Sequence, residues 1–164
     1  LRDYKYYKNF LNTCSKKNNL NLNQMICRSL SIKKRYIEKD EFDKNLRLKL
    51  NYGHTFGHAI EKLTNLPHGI SVAHGMDIAN FVSLKLGMLN FDTYNNMNDT
   101  LKIILSKYPI KKINIGKMIS LMKKDKKSTK KNIRVILSKG IGKMFIHKID
   151  NEKIFCSILK KYFI

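Results

Sequence analysis

With 164 residues, 19.2 kDa and 43% apolar side chains, the chain is long enough to enclose one core and too apolar to be disordered throughout. No apolar run reaches the length that spans a bilayer, and Leu1-Arg2-Asp3-Tyr4-Lys5, polar from its second residue, opens no signal peptide. The 33 basic against 12 acidic residues give a net charge of +21, but 28 of the 33 are Lys scattered among abundant Asn and Ile, so the excess reads as the coding bias of an AT-rich genome rather than as a nucleic-acid surface, which uses Arg for bidentate contacts.

Residues 3–13 place Tyr6, Tyr7, Phe10 and Leu11 at helical spacing, and the Asn-rich 18–23 reads as a loop or helix start. A second helical stripe over 24–38 carries Met25, Ile26, Leu30, Ile32 and Ile37, and the charged 40–45 reads as a turn. In residues 47–87 Pro67 breaks a first helix, a second runs from about Val72 to Leu86, and Gly87 suits its C-terminal cap. Further helices are predicted over about 98–107, stopped by Pro109, and over 115–124. The β-branched 132–138, the Gly-containing 139–142 and the segment 143–149 together read as a hairpin, and a helix over 152–162 closes the chain. The expected fold is mainly α with one small β-hairpin. No internal repeat, Gly/Ser linker or domain boundary is visible, so 1–164 reads as one helical domain. The chain opens without Met inside a predicted helix, which reads as a fragment.

Three cysteines, Cys14, Cys27 and Cys156, are an odd number at unrelated spacings, which gives neither a disulfide framework nor a zinc knuckle and suits a reducing compartment, the cytoplasm. Four of the five histidines fall between residues 54 and 74. His54 and His58, four apart on a helix, share a face, with Glu61 on nearly the same face. His68 follows the Pro67 break, and His74 lies on the next segment. Imidazole is a common ligand of zinc and similar ions, and the glycines beside these histidines (Gly53, Gly57, Gly69, Gly75) allow close backbone approach. Spacing alone leaves open which two or three of them bind, and a polar helix surface is the competing reading.

The string Arg47-x-x-x-Asn51-x-Gly53-His54-Thr55-x-Gly57-His58-Ala59-x-Glu61, followed by His68-Gly69-x-x-Val72-Ala73-x-Gly75-Met76, resembles the signature of the 3-dehydroquinate synthase family. Lys33 upstream with Asp40-Glu41 before Arg47, and Met122-x-x-Asp125-Lys126-Lys127, Arg134, Leu137 and Ile141-Gly142 downstream, are similar to that family in order. The resemblance covers essentially the whole chain and implies the helical C-terminal domain, which carries metal and substrate residues, of a protein whose N-terminal domain binds NAD. The Gly-rich NAD fingerprint is absent here, so no cofactor-binding residue is expected in this chain.

That resemblance implies His54 and His68 as ligands of a divalent metal, Zn or Co, with a third ligand, a Glu of a Glu-x-x-Lys motif, falling a few residues before Leu1. It implies His58 beside the transferring phosphate, where it assists proton movement, and Lys33 as the other catalytic residue. Lys33 and Arg47 form the cationic pair on the substrate's carboxylate and hydroxyls, Asn51 is a phosphate or hydroxyl donor, and Lys126 or Lys127 closes over the phosphate. Glu61 is expected to orient a ligand histidine. The implied reaction converts 3-deoxy-D-arabino-heptulosonate 7-phosphate to 3-dehydroquinate with loss of phosphate, NAD being recycled. The implied partners are the sugar phosphate, the N-terminal domain and a second copy in a homodimer, with no membrane. Ile70 and His74 depart from the family pattern. Four other readings stay open: a related sugar-phosphate cyclase, a metal-dependent polyol dehydrogenase that accumulates NADH, a basic helical module whose nucleic-acid binding would weaken steeply with salt, and a relic or partial chain that folds without activity.

Overall fold

A computed structural model describes residues 22–110, 112–124 and 133–163. Its contacts gather into two units, Leu1–Leu50 and Asn51–Ile164. The predicted helix over 3–13, Cys14, and Lys126 and Lys127 lie outside the described residues.

In the first unit, α1 (Leu22–Lys39) carries the stripe expected over 24–38. Asp40 then organises the charged turn. Its carboxylate accepts backbone N–H bonds from Lys44 at 2.9 Å, Asn45 at 2.7 Å and Arg47 at 3.0 Å. These donors, Arg47 foremost, hold its carboxyl below the usual range. The turn leads into a 3₁₀ helix, Arg47–Asn51.

The second unit continues with α2 (His54–Thr64), α3 (His68–Lys85), α4 (Phe91–Leu105), α5 (Ile115–Lys124), β1 (Arg134–Ser138), β2 (Met144–Lys148) and α6 (Glu152–Tyr162). The strands pair antiparallel from Arg134↔Lys148 to Ser138↔Met144. Gly140 and Gly142, at φ of 140° and 76°, supply the backbone freedom their connection needs. The core lies between Phe56 and Ile60 of α2, Ile78 and Val82 of α3, Met118 and Met122 of α5, Val135 and Leu137 of β1, and Phe155 and Leu159 of α6. Mainly helical with a single hairpin among the described residues, this is the expected fold class.

Two helix starts differ from expectation. α3 begins at His68 rather than near Val72, with Pro67 as its N-cap, where the missing N–H of proline is no loss. This helix packs against α2, α4, β1 and α6, and is buried on nearly every side from Ser71 to Ser83. It therefore has no single apolar stripe from which periodicity could locate its start. α4 begins at Phe91, seven residues before the expected start, because the Asn90 side chain accepts from Thr93 N at 2.8 Å and caps it.

The buried length of α3 carries titratable groups. His74 Nε2 donates to Tyr108 O at 2.8 Å, tying α3 to the turn after α4. Tyr162 Oη of α6 donates to Asp77 Oδ2 at 2.6 Å. Burial holds the His74 pKa below 6.5 and raises that of Asp77 above 3.8. For His74, the unfolded chain takes the proton first as pH falls. The stability its neutral ring contributes is therefore full above pH 6.5 and is lost as pH drops from there through the lower folded-state pKa. Asp77 acts in the opposite sense, its contribution present below pH 3.8 and lost as pH rises through its raised folded-state pKa. In the full native polypeptide, stability between about pH 5 and 7.5 should fall on acidification more steeply for wild type than for His74→Gln, which keeps an N–H donor but does not titrate. The difference approaches at most about 1.4 kcal/mol per pH unit. Parallel pH profiles from urea unfolding would show that the imidazole stays uncoupled from folding.

Candidate metal centre

α2 starts where Gly53, at φ 80°, turns the chain through the left-handed region. His54 and His58 then occupy successive turns of the same helix face. α2 ends at Thr64, Asn65 takes a left-handed conformation at φ 57°, and after Pro67 the chain re-enters helix at His68. The two helices meet backbone to backbone. A Cβ on Gly57 would lie 2.8 Å from Val72 Cα, and one on Gly75 would lie 2.0 Å from Gly53 O. This approach, together with the three-residue connection, brings three imidazoles into a near-equilateral triangle. Ring centres are 5.6 Å apart for His54–His58 and 5.7 Å for both His54–His68 and His58–His68.

His54 and His68 each have Nδ1 against an oxygen. Glu61 Oε2 lies 3.1 Å from His68 Nδ1, and Tyr52 O lies 3.3 Å from His54 Nδ1. A carbonyl or carboxylate oxygen only accepts, so these contacts favour the tautomer with the proton on Nδ1 and the lone pair on Nε2. The His68 and Glu61 side chains are 54% and 39% exposed, so the pair adds little stability, and its consequence is ring orientation. The histidine that Glu61 touches is therefore His68.

Whether these residues suit a divalent ion can be tested on the donors themselves. Two imidazoles on one tetrahedral ion, with metal–nitrogen bonds of about 2.0–2.1 Å, put their ring centres roughly 5 Å apart. All three ring pairs come close to that spacing, and in His54 and His68 the Nδ1 contacts leave Nε2 for an ion. These two histidines fit as two ligands of such an ion. Among the described residues, no group of three His, Cys, Asp or Glu side chains is close enough to hold an ion.

The other predicted site residues fall as follows. Asn51 ends the 3₁₀ helix, half-buried, two residues before Gly53. Lys33 is exposed on α1, and Arg47 opens the 3₁₀ helix with Nη1 donating to Glu41 O at 2.8 Å; both belong to the first unit. His74 is buried against Tyr108. Sequence reasoning missed the link between Tyr52 and Asn80, whose one signal was an amide inside the apolar run of α3.

Residues 1–128 match the family model described as 3-dehydroquinate synthase C-terminal. The chain is 38% identical over 144 residues to a 3-dehydroquinate synthase of Helicobacter pylori strain P12, an alignment covering 86% of this chain and 42% of that protein. It is 39% identical over 160 residues to the 3-dehydroquinate synthase of Campylobacter jejuni subsp. jejuni serotype O:23/36 strain 81-176, covering 92% and 44%. The chain thus spans less than half the length of these curated relatives. Its fold is similar to that of 2-deoxy-scyllo-inosose synthase, solved in complex with carbaglucose-6-phosphate, NAD+ and Co2+. The TM-score is 0.64 at 23% identity, over 74% of this chain and 37% of that one.

Proposed function

The chain belongs to the 3-dehydroquinate synthase family, and from that membership we propose that it is the metal- and substrate-binding half of an enzyme that converts 3-deoxy-D-arabino-heptulosonate 7-phosphate to 3-dehydroquinate and phosphate. The observation that carries the reading is the triangle of His54, His58 and His68, with the Nδ1 atoms of His54 and His68 against oxygen acceptors. In this reading His54 and His68 hold a divalent ion, Zn or Co, through Nε2, together with a carboxylate from the N-terminal side. When bound, that ion supplies Lewis-acid polarisation of a substrate hydroxyl. An N-terminal domain would hold NAD+, which would supply reversible hydride acceptance from the substrate with no net consumption.

This chain's residues supply position and charge. The Arg47 guanidinium pairs bidentately with the substrate carboxylate, and Lys33 holds the adjoining oxygens. Asn51 donates from its amide to phosphate or hydroxyl. Lys126 and Lys127 close over the phosphate. His58 holds and moves the proton that accompanies phosphate departure, at a ring nitrogen. Glu61 keeps His68 oriented. The enzyme works as a homodimer in the cytoplasm, and no described helix is long and apolar enough to cross a membrane.

The test uses the full native polypeptide with NAD+, a divalent metal and the heptulosonate phosphate. Phosphate and 3-dehydroquinate should appear in equal amounts while no NADH accumulates. Stoichiometric NADH without phosphate would instead mark a polyol dehydrogenase, and the proposal would be withdrawn.

A further inference from the structure

Tyr52 stands between Asn51 and Gly53, immediately ahead of α2, and its two polar ends face different partners. Its carbonyl lies 3.3 Å from His54 Nδ1. Its hydroxyl is hydrogen-bonded to the Asn80 side chain and lies 3.4 Å from Met76 O, both on α3. Asn80 is fully buried, and among the described residues its Nδ2 has no hydrogen-bond partner. A buried amide with one end unsatisfied is costly, so its bond to Tyr52 calls for an explanation beyond filling space.

The geometry supplies one. Gly53, at φ 80°, is packed against the α3 backbone, where a Cβ would lie 2.8 Å from both Met76 N and Val72 O. The Tyr52 Cα is the other pivot of the Tyr52–Gly53 peptide, and its displacement would carry the carbonyl away from His54. The Tyr52 ring, hydrogen-bonded on α3 through its hydroxyl, holds that Cα against the displacement.

We propose that Tyr52 and Asn80 form a positioning pair for His54: the Tyr52–Asn80 bond fixes the peptide whose carbonyl sets the tautomer and direction of the His54 ring toward a divalent ion. The inference rests on the reading of His54 as a metal ligand. Tyr52 and Asn80 touch neither ion nor substrate, and they act through His54.

The test is a Co2+ titration of the metal-free full native polypeptide, followed by the visible ligand-field absorption of the bound ion. Tyr52→Phe removes one hydroxyl. Asn80→Leu breaks the same bond from the other side and keeps the buried space filled. Each should weaken Co2+ binding by about 10- to 100-fold, the scale seen for outer partners of ligand histidines, and shift the absorption bands. A purely structural bond would lower thermal stability and leave the bands of the folded protein unmoved. In the double variant the loss should be no larger than in either single one, since one bond is broken twice. Affinity and bands within twofold of wild type in whichever single variant folds, with binding abolished by His54→Ala, would overturn the positioning role and leave the metal assignment intact. Co2+ binding that His54→Ala leaves unchanged would overturn both.

Discussion

Gly75→Ala is expected to destabilise the protein by about 3 kcal/mol or more, the upper range for overpacking a rigid site. The new Cβ would sit 2.0 Å from Gly53 O and 2.6 Å from Gly57 N. Those two atoms are partners in a hydrogen bond of the first turn of α2, Gly57 N to Gly53 O at 2.8 Å. The methyl group would therefore drive into a backbone hydrogen bond, where no flexible side chain can give way. Relief requires α2 and α3 to part, and parting carries His54 and His58 away from His68. Co2+ affinity should fall along with stability. Gly69→Ala is the matched control, because Gly69 is exposed at the start of the same helix and a Cβ there meets nothing within 4 Å. Ala is the better helix former, so that change should be neutral or stabilising by up to about 1 kcal/mol. Urea unfolding of both variants in the full native polypeptide checks the pair. Equal stabilities would mean that the backbone contact does not set the helix spacing.

His68→Ala is expected to lower phosphate release by roughly 10³-fold or more, because a Lewis acid contributes several kcal/mol at the transition state and each 1.4 kcal/mol is tenfold. Glu61→Gln is the finer probe. It keeps the shape and an amide oxygen for His68 Nδ1 but removes the carboxylate charge, and metal affinity should fall about 10- to 100-fold while saturating metal restores most of the rate. Titrating activity against added Zn2+ or Co2+ separates the two outcomes. If excess metal restores His68→Ala as fully as Glu61→Gln, His68 is not a ligand.

Legibility in the sequence followed burial. α5 and α6 have one apolar face each, and their observed bounds, Ile115–Lys124 and Glu152–Tyr162, coincide with those read from periodicity. α3 is buried around its circumference, so its pattern carries no phase and places the start near Val72 rather than at His68. For the site, the spacing of His54 and His58 required only helix geometry. The approach of His68 depended on the short connection through Asn65 and Pro67 and on backbone contact at Gly57 and Gly75, which periodicity does not encode; the ligand role proposed for it rests on resemblance. His74 could not be separated from the other histidines in advance, because what removes it is a carbonyl 34 residues away, at Tyr108. The Tyr52–Asn80 link likewise spans 28 residues and has no local signature.

The central claim is that two histidines of this chain hold the metal while the third stands beside it. X-ray absorption at the metal edge of the loaded full native polypeptide counts imidazoles directly through their outer-shell scattering. Two imidazole nitrogens at about 2.0–2.1 Å, with the remaining first-shell donors oxygen, is the predicted result, and His58→Ala should leave that count at two. Three imidazoles would place His58 among the ligands, and none would remove His54 and His68 from the metal altogether. Either result would contradict the assignment.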